Sequence, residues 1–415
     1  SFSKEKPLSS QLKSEKDAES RKTEATGEVK INSEKVQYNG TDAIGSRTRT
    51  ESEQIASRNE AKEKIKNPKT NASLKSANSY NKEAGLPEVT QHKYKPSDPV
   101  QQTQIAKLYP KLQDVNSPTY KETDLERRIY NDYKSKYPKI FDQYNIKDYK
   151  DLVHKSYAQL IEETQLQYDR LPVKITYHEN GEGNYENNFE MLDDVHNFNH
   201  LWVYKGGDDH TELGSKTKDK EGLTANDKFR GVHDYYGHSV EGYQFGKDGE
   251  ENAWIEHSKM FSPLAQWALS SETRGQNSWV NYSGVNEVVL QEIKTGSALK
   301  KEGKRLGNQE MIDEGEKLLS TVYDKFVFAE QKAMLLPPQY TDISKFHKEA
   351  IKEVPQNLIT YDKENNSRIP SKIGIGEKPI EAKPIEGAGK KETTTSGVLQ
   401  TSGMVEKAKS LGKKK

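Results

Sequence analysis

The segment His233-Asp234-Tyr235-Tyr236-Gly237-His238 carries the densest chemistry in the chain. Two histidines five apart on an α-helix stand about 140° apart around its axis, so they do not share a stripe. Both reach one ion if the helix ends or loosens at Gly237. Asp234 and His238, four apart, do share a face, which makes Asp234 a candidate to act beside the imidazoles. Neutral imidazoles suit zinc, iron, nickel or copper, and two of them with one carboxylate and open positions form the arrangement of non-haem iron oxygenases. The carboxylate has to come from elsewhere, and Glu250, Glu251 and Glu272 are candidates. His257 is a candidate third imidazole, because Glu250, Trp254, His257 and Phe261 line one helix face. The competing expectation is a pair of hydrogen-bonded core histidines without metal, set among Phe229, Val232, Tyr235 and Tyr236. The pair His196 and His200 has i,i+4 spacing, but the intervening asparagines favour a turn there over a ligand role.

A second polar segment is Glu272-Thr273-Arg274-Gly275-Gln276-Asn277-Ser278-Trp279. Such a set is costly to bury unless every group is paired. It either closes a polar network, with Glu272 on Arg274, or holds a planar or anionic ligand bidentately. In the second case Arg274 and Gln276 orient a substrate or the metal-binding carboxylate.

These residues need helices to position them. Thr224-Ala225-Asn226-Asp227 fits a capping box, which predicts a helix from there to about His238. Asp248-Gly249-Glu250-Glu251 opens a second helix, and Ser262-Pro263 opens a third, as N-cap and first-turn proline, running to about Glu272. Arg274 to Ser278 reads as a polar loop. Upstream, helical spacing runs from Asp124 to Tyr137 and from Lys147 to Leu171. Pro172 to Tyr177 alternates as a strand and Leu201 to Tyr204 reads as a second, with a short helix at about 188–196 between them. Two later helices, about 286–302 and 308–333, close the domain. All four tryptophans lie between residues 200 and 280, as a core does rather than a cofactor box. The expected fold is mainly α with a small β element (α+β), as a single helical domain over residues 105–345.

The flanks read differently. Residues 1–104 hold few large apolar residues, without a helical or strand period, among Lys, Glu, Ser, Thr and Asn. Such a segment cannot bury enough surface to offset its ordering entropy, so a disordered arm is expected. Glu51 to Lys66 could form a transient polar helix with nothing to anchor it. Residues 346–415 show the same composition, a small Lys-Pro-Ile-Glu duplication at 378–381 and 383–386, and a basic end; they are expected to be a disordered tail. The chain of 415 residues has no cysteine, which removes disulfides, thiolate metal sites and a cysteine nucleophile. Basic and acidic residues balance at 64 each, so no net field points to nucleic acid or an anionic membrane. No apolar run reaches a membrane span and no signal peptide is visible at Ser1, whose missing Met fits either trimming or a proteolytic start. Nucleic-acid binding is disfavoured for want of a dense basic face.

The stretch Asn226 to Gly284, with Asn226 to His238, Gly249-Glu250-Glu251-Asn252-Ala253-Trp254 and Glu272 to Trp279 in order, resembles a family of uncharacterised proteins encoded by tailed phages and prophages. Phe328 to Pro337 is similar to that family's closing helix, and residues 285–320 are longer than the family's. The resemblance implies a phage protein located in the virion or the cytoplasm of an infected host. It implies no reaction. At the level of one motif, His233 to His238 is also similar to the iron-binding helix of aromatic amino-acid hydroxylases, H-[DE]-x-x-G-H. That likeness implies His233 and His238 as ligands and Glu272 as the later glutamate. The combined expectation is a virion-associated protein with a mononuclear iron or zinc site. Its ligands are His233 and His238 with Glu272 or Glu251, and its arms contact other virion proteins. The rival expectation is a non-enzymatic structural or cargo protein in which the polar cluster is a buried network.

Overall fold

The structure is a computed structural model, and it describes residues 49–179, 185, 187–347, 353–355, 358, 360–362 and 367–369. Residues 49–54 fall in the smaller of two compact units. There the backbone N–H and hydroxyl of Thr50 donate to the Glu53 carboxylate and open the helix Glu51–Lys66. The described chain from Ile55 onward belongs to the second, far larger unit.

The helix Tyr149–Tyr168 runs through the core of that unit. Its apolar side buries Tyr149, Leu152, Val153, Tyr157 and Leu160, as the spacing predicts. It is also buried along a polar stripe, Lys155, Gln159, Glu163, Thr164 and Gln167, which hydropathy alone would assign to solvent. Most of these groups are paired. Lys155 donates to the carbonyl oxygens of Tyr144 and Asn145, at 2.7 and 3.0 Å. The Glu163 carboxylate accepts from the backbone N–H and hydroxyl of Ser262, at 2.8 and 2.5 Å. The helices Ala225–Val232 and Pro263–Ser270 pack against this central one.

The small sheet is present. Lys174–His178 and His200–Tyr204 pair in parallel, with Lys174 opposite His200 and His178 opposite Tyr204, and the helix Asn188–Phe198 provides the crossover. His200 bonds Thr176 and Asp194, at 2.8 and 2.7 Å, and so fixes the strand. His196 faces the Ser239 carbonyl at 3.2 Å. After the core come the antiparallel helices Glu287–Leu306 and Gln309–Lys325, which pack chiefly on one another. The second ends at Lys325, short of the expected 333, and residues 326–337 form no regular element. Among the described residues no helix is long and apolar enough to cross a membrane.

The domain boundary at 104/105 is corrected. Residues 55–104 are not an arm: the rest of the helix Glu51–Lys66, the helix Ala72–Ala84 and the start of Pro99–Leu108 are part of the body. Ala61, Leu74, Ala77, Tyr80, Ala84 and Val89 are buried in the main core. The polar helix expected to lack an anchor has one: Ser57 donates to Asp193, Arg58 pairs with Glu190 at 3.2 Å, and Lys64 donates to Asn197 at 2.7 Å. Downstream, Phe346 packs on the core, His347, Val354 and Leu358 are buried, and Thr360–Asp362 pairs with Ser367–Ile369, so the boundary at 345 also moves. The expected disorder of residues 1–48, and of most of the tail, lies outside the described residues.

Candidate metal centre

The capping box forms as the sequence predicts. Thr224 Oγ1 accepts from the Asp227 N–H at 3.0 Å, and Asp227 Oδ2 accepts from the Thr224 N–H at 2.9 Å. The other Asp227 oxygen takes the Gly206 N–H at 3.0 Å and ties the helix start to the end of the sheet. The helix opened by this cap does not run on to His238. It ends at Val232, and His233–His238 forms a wide π turn. The Ser239 N–H bonds the Asp234 carbonyl, five residues back, at 3.2 Å. An i→i+5 turn brings residues five apart towards one side, which an α-helix does not. Gly237 permits the close approach this requires, because a Cβ there would lie 3.1 Å from the Ala253 carbonyl oxygen and from the His233 ring. The turn therefore sits directly on the helix Lys247–Ser258.

This contact brings His233, His238 and Glu250 together, with one ligand atom from each lying within 4.8 Å of the others. Glu250 Oε2 is 3.4 Å from His238 Nε2 and 3.7 Å from His233 Nε2. The three residues are 3, 1 and 4 % exposed. Their outer nitrogens set their tautomers. His238 Nδ1 donates to the Tyr243 carbonyl oxygen at 3.2 Å, which leaves a lone pair on Nε2 of the neutral ring. His233 Nδ1 is 3.1 Å from His257 Nδ1. His233 Nε2 and Glu250 Oε2, both buried, have no hydrogen-bond partner.

The electrostatics are those of a buried carboxylate paired with histidine. Burial would raise the Glu250 carboxyl, but His238 and the adjoining His233 pull it down to about 2. Burial lowers His233, with His238 adding to the effect. His257 is held well below the usual histidine range by burial and by its two neighbours. His238 goes the other way: burial lowers it, while Glu250, Asp234 and the Tyr243 carbonyl outweigh burial and raise it. A proton on His238 or a metal ion is the counter-charge this carboxylate can find. The residues fit a metal, since two imidazole nitrogens and a carboxylate oxygen converge and two of the three atoms are otherwise orphaned. The buried group could hold a metal ion.

Other expected site residues lie elsewhere. Glu272 is not the carboxylate. Its Oε1 accepts from His210 Nε2 at 2.8 Å and Tyr157 OH at 2.5 Å, and its Oε2 accepts from Gln276 at 2.8 Å. His210 Nδ1 in turn accepts the N–H groups of Glu212 and Leu213, both at 3.0 Å, so this network is closed. Glu251 is not the carboxylate either, because Arg274 clamps it at 3.0 and 2.6 Å while stacking on Trp254 at 4.3 Å. Adjacent helix positions differ by about 100°, which takes Glu251 away as it turns Glu250 inward. Arg274 also donates to the Tyr340 carbonyl at 2.7 Å and to Gln101, so it orients the fold. Gln276 does orient a carboxylate, that of Glu272. The segment expected as a loop is a second π turn, Ser271–Gly275, followed by the helix Gln276–Tyr282. His257 touches His233 and lies behind it, outside the converging atoms. Asp234 is half-buried on the turn, with its carboxyl pushed up to about 7 by burial. Sequence reasoning missed Tyr157, Gln167 and His210, although Leu160, Glu163 and Gln167 fall at helical spacing on one face. Comparisons of the chain with known families, with characterised proteins and with solved structures return no match.

Proposed function

We propose that this chain is a phage-encoded, virion-associated protein whose helical body binds one divalent transition-metal ion through His233, His238 and Glu250. The observation that carries the metal reading is the convergence of two buried, unpartnered ligand atoms, His233 Nε2 and Glu250 Oε2, on His238 Nε2. Two histidines and one carboxylate match the donor set of mononuclear non-haem iron sites, and the same donors bind zinc. Bound iron would supply redox chemistry, and bound zinc would supply a water of lowered pKa. The phage reading is supported by three polar segments in a family-like order, the first two of which supply His233, His238 and Glu250.

One observation favours the rival, a non-enzymatic structural or cargo protein. An open active site requires a cleft, and all three side chains are buried. A metal held there would then stabilise the fold, as closed structural sites do. Elemental analysis of the full chain, beside a His233→Ala/His238→Ala variant, tests the metal. Near-stoichiometric iron or zinc in the parent alone, with helix content retained in the variant, is expected. A metal-free parent whose variant unfolds would establish a metal-free structural network instead. Mass spectrometry of particles induced from a host carrying the gene tests the virion assignment, which their lack of this chain would refute.

A further inference from the structure

The helix Tyr149–Tyr168 contributes no ligand, yet its Gln167 reaches the back of the site. Gln167 Nε2 donates to the Met260 carbonyl oxygen at 3.0 Å, and that bond assigns the amide's orientation. Oε1 is therefore the end that faces His257 Nε2, at 2.8 Å. An amide oxygen only accepts, so His257 carries its proton on Nε2 and presents a lone pair at Nδ1. His233 Nδ1, 3.1 Å away, must then be the donor, and the His233 lone pair falls on Nε2, the atom that faces Glu250. With the opposite assignment, His233 Nε2 would carry a hydrogen and could not bind an ion.

We infer that Gln167 and His257 are positioning residues that lock His233 into its metal-binding tautomer, through a relay from the Met260 carbonyl to His233 Nε2. The inference rests on the metal reading for its purpose, and on hydrogen-bond geometry alone for its existence. The side chains around the relay leave little room for alternatives. Phe229 stacks on both His233 and His257, with ring centroids 5.9 and 6.1 Å apart, and Phe261 meets the edge of His257 at 4.8 Å. Phe229 and Phe261 offer no competing donor or acceptor, and the hydroxyl of Tyr236, whose ring also stacks on His257 at 6.2 Å, is held by Ser76 at 2.9 Å. His238 receives the same service from a backbone carbonyl. His233 depends instead on two side chains in series, His257 and then Gln167.

The test uses the full chain with zinc alone as probe, in competition with a chelating indicator. Gln167→Leu removes the acceptor and should weaken zinc binding about 10–100-fold, the usual cost of losing an outer-shell partner. Gln167→Glu keeps an acceptor and should recover most of that affinity, although it loses the bond to Met260 and should melt at a lower temperature than the parent. A purely structural role would move affinity and melting temperature together in both variants. Parent-like zinc affinity in Gln167→Leu would overturn the relay. Ring nitrogen shifts of the metal-free parent provide a readout that needs neither zinc nor a folded variant: His257 should be protonated at Nε2 and His233 at Nδ1. The reverse pattern would also overturn the relay. A parent that shows the expected shifts but binds no zinc would remove the metal reading and leave the relay standing.

Discussion

At the scale of single residues, the chain buries polar groups that its composition would place in water. Glu163 is the sharpest case. Burial pushes its carboxyl up to about 7 from an ordinary 4.5, despite donors from Ser262 and Gln159. Its folded-state pKa lies above the unfolded one, so the native state holds a proton that the unfolded chain releases first. Stability from this group is therefore full below about pH 4.5 and is lost as pH rises towards 7. The loss is on the order of 3 kcal/mol. Glu163→Gln should remove that part of the slope, so urea unfolding between pH 4.5 and 7 should show the variant gaining on the parent as pH rises. Parallel curves would refute the assignment. The ligand histidines are legible in the sequence because of their residue type and spacing, and the capping box gives them a helix. Glu250 is not separable there from Glu251 or Glu272, because each has an apolar neighbour at helical spacing. Only the packing of the π turn on the helix Lys247–Ser258 says which carboxylate turns inward.

At the scale of elements, the main departures from expectation share one cause. Helix starts announce themselves through capping side chains, and Thr224 with Asp227 does so here. A π turn has no such marker, so spacing passes over both wide turns, taking one for plain helix and one for loop. The start of the helix should matter to the site even though it is remote from it, since this cap sets the rotation at which Val232 hands over to His233. Thr224→Ala should cost about 1 kcal/mol, within a usual range of roughly 0.5–2. Urea denaturation of the variant beside the parent reads that cost. A change under a few tenths would mean that the Asp227 bond to Gly206 alone holds the helix start. The later hairpin is legible as two helices because its apolar spacing is regular. Its second helix stops early, where Asn286 bonds both the carbonyl and the N–H of Val327 at 2.8 Å and takes the groups a continuing helix would use.

At the scale of the whole chain, the sequence misleads most between residues 55 and 104. Their large buried apolar residues, Ile65, Leu74, Tyr80 and Leu86, are spread singly among polar ones, and Ala61, Ala77 and Ala84 carry little weight in any hydropathy window. Much of the rest is held by polar side chains. Asn71 donates to the Val240 carbonyl at 2.7 Å, Asn81 to the Lys259 carbonyl at 2.9 Å, and Ser76 bonds Tyr236 at 2.9 Å. Those contacts fall on and just beyond the π turn and behind the helix that carries Glu250. A chain begun at residue 105 should therefore lack a cooperative thermal transition, because Leu74, Ala77, Tyr80 and Ala84 leave a face of the core bare. A chain begun at residue 49 should keep it. Equal melting curves for the two would show that the early helices are dispensable.

The π turn at His233 to His238 also bears on how this protein tolerates insertion and deletion. A turn closed by i→i+5 bonds holds one residue more than a turn of α-helix over nearly the same rise. Loss of one residue between the histidines is thus absorbed by tightening the turn, and everything after Ser239 keeps its register. The shortened sequence would place the two imidazoles four apart on an ordinary helix, where they share a stripe. A variant one residue shorter between the histidines should then still present both imidazoles to Glu250.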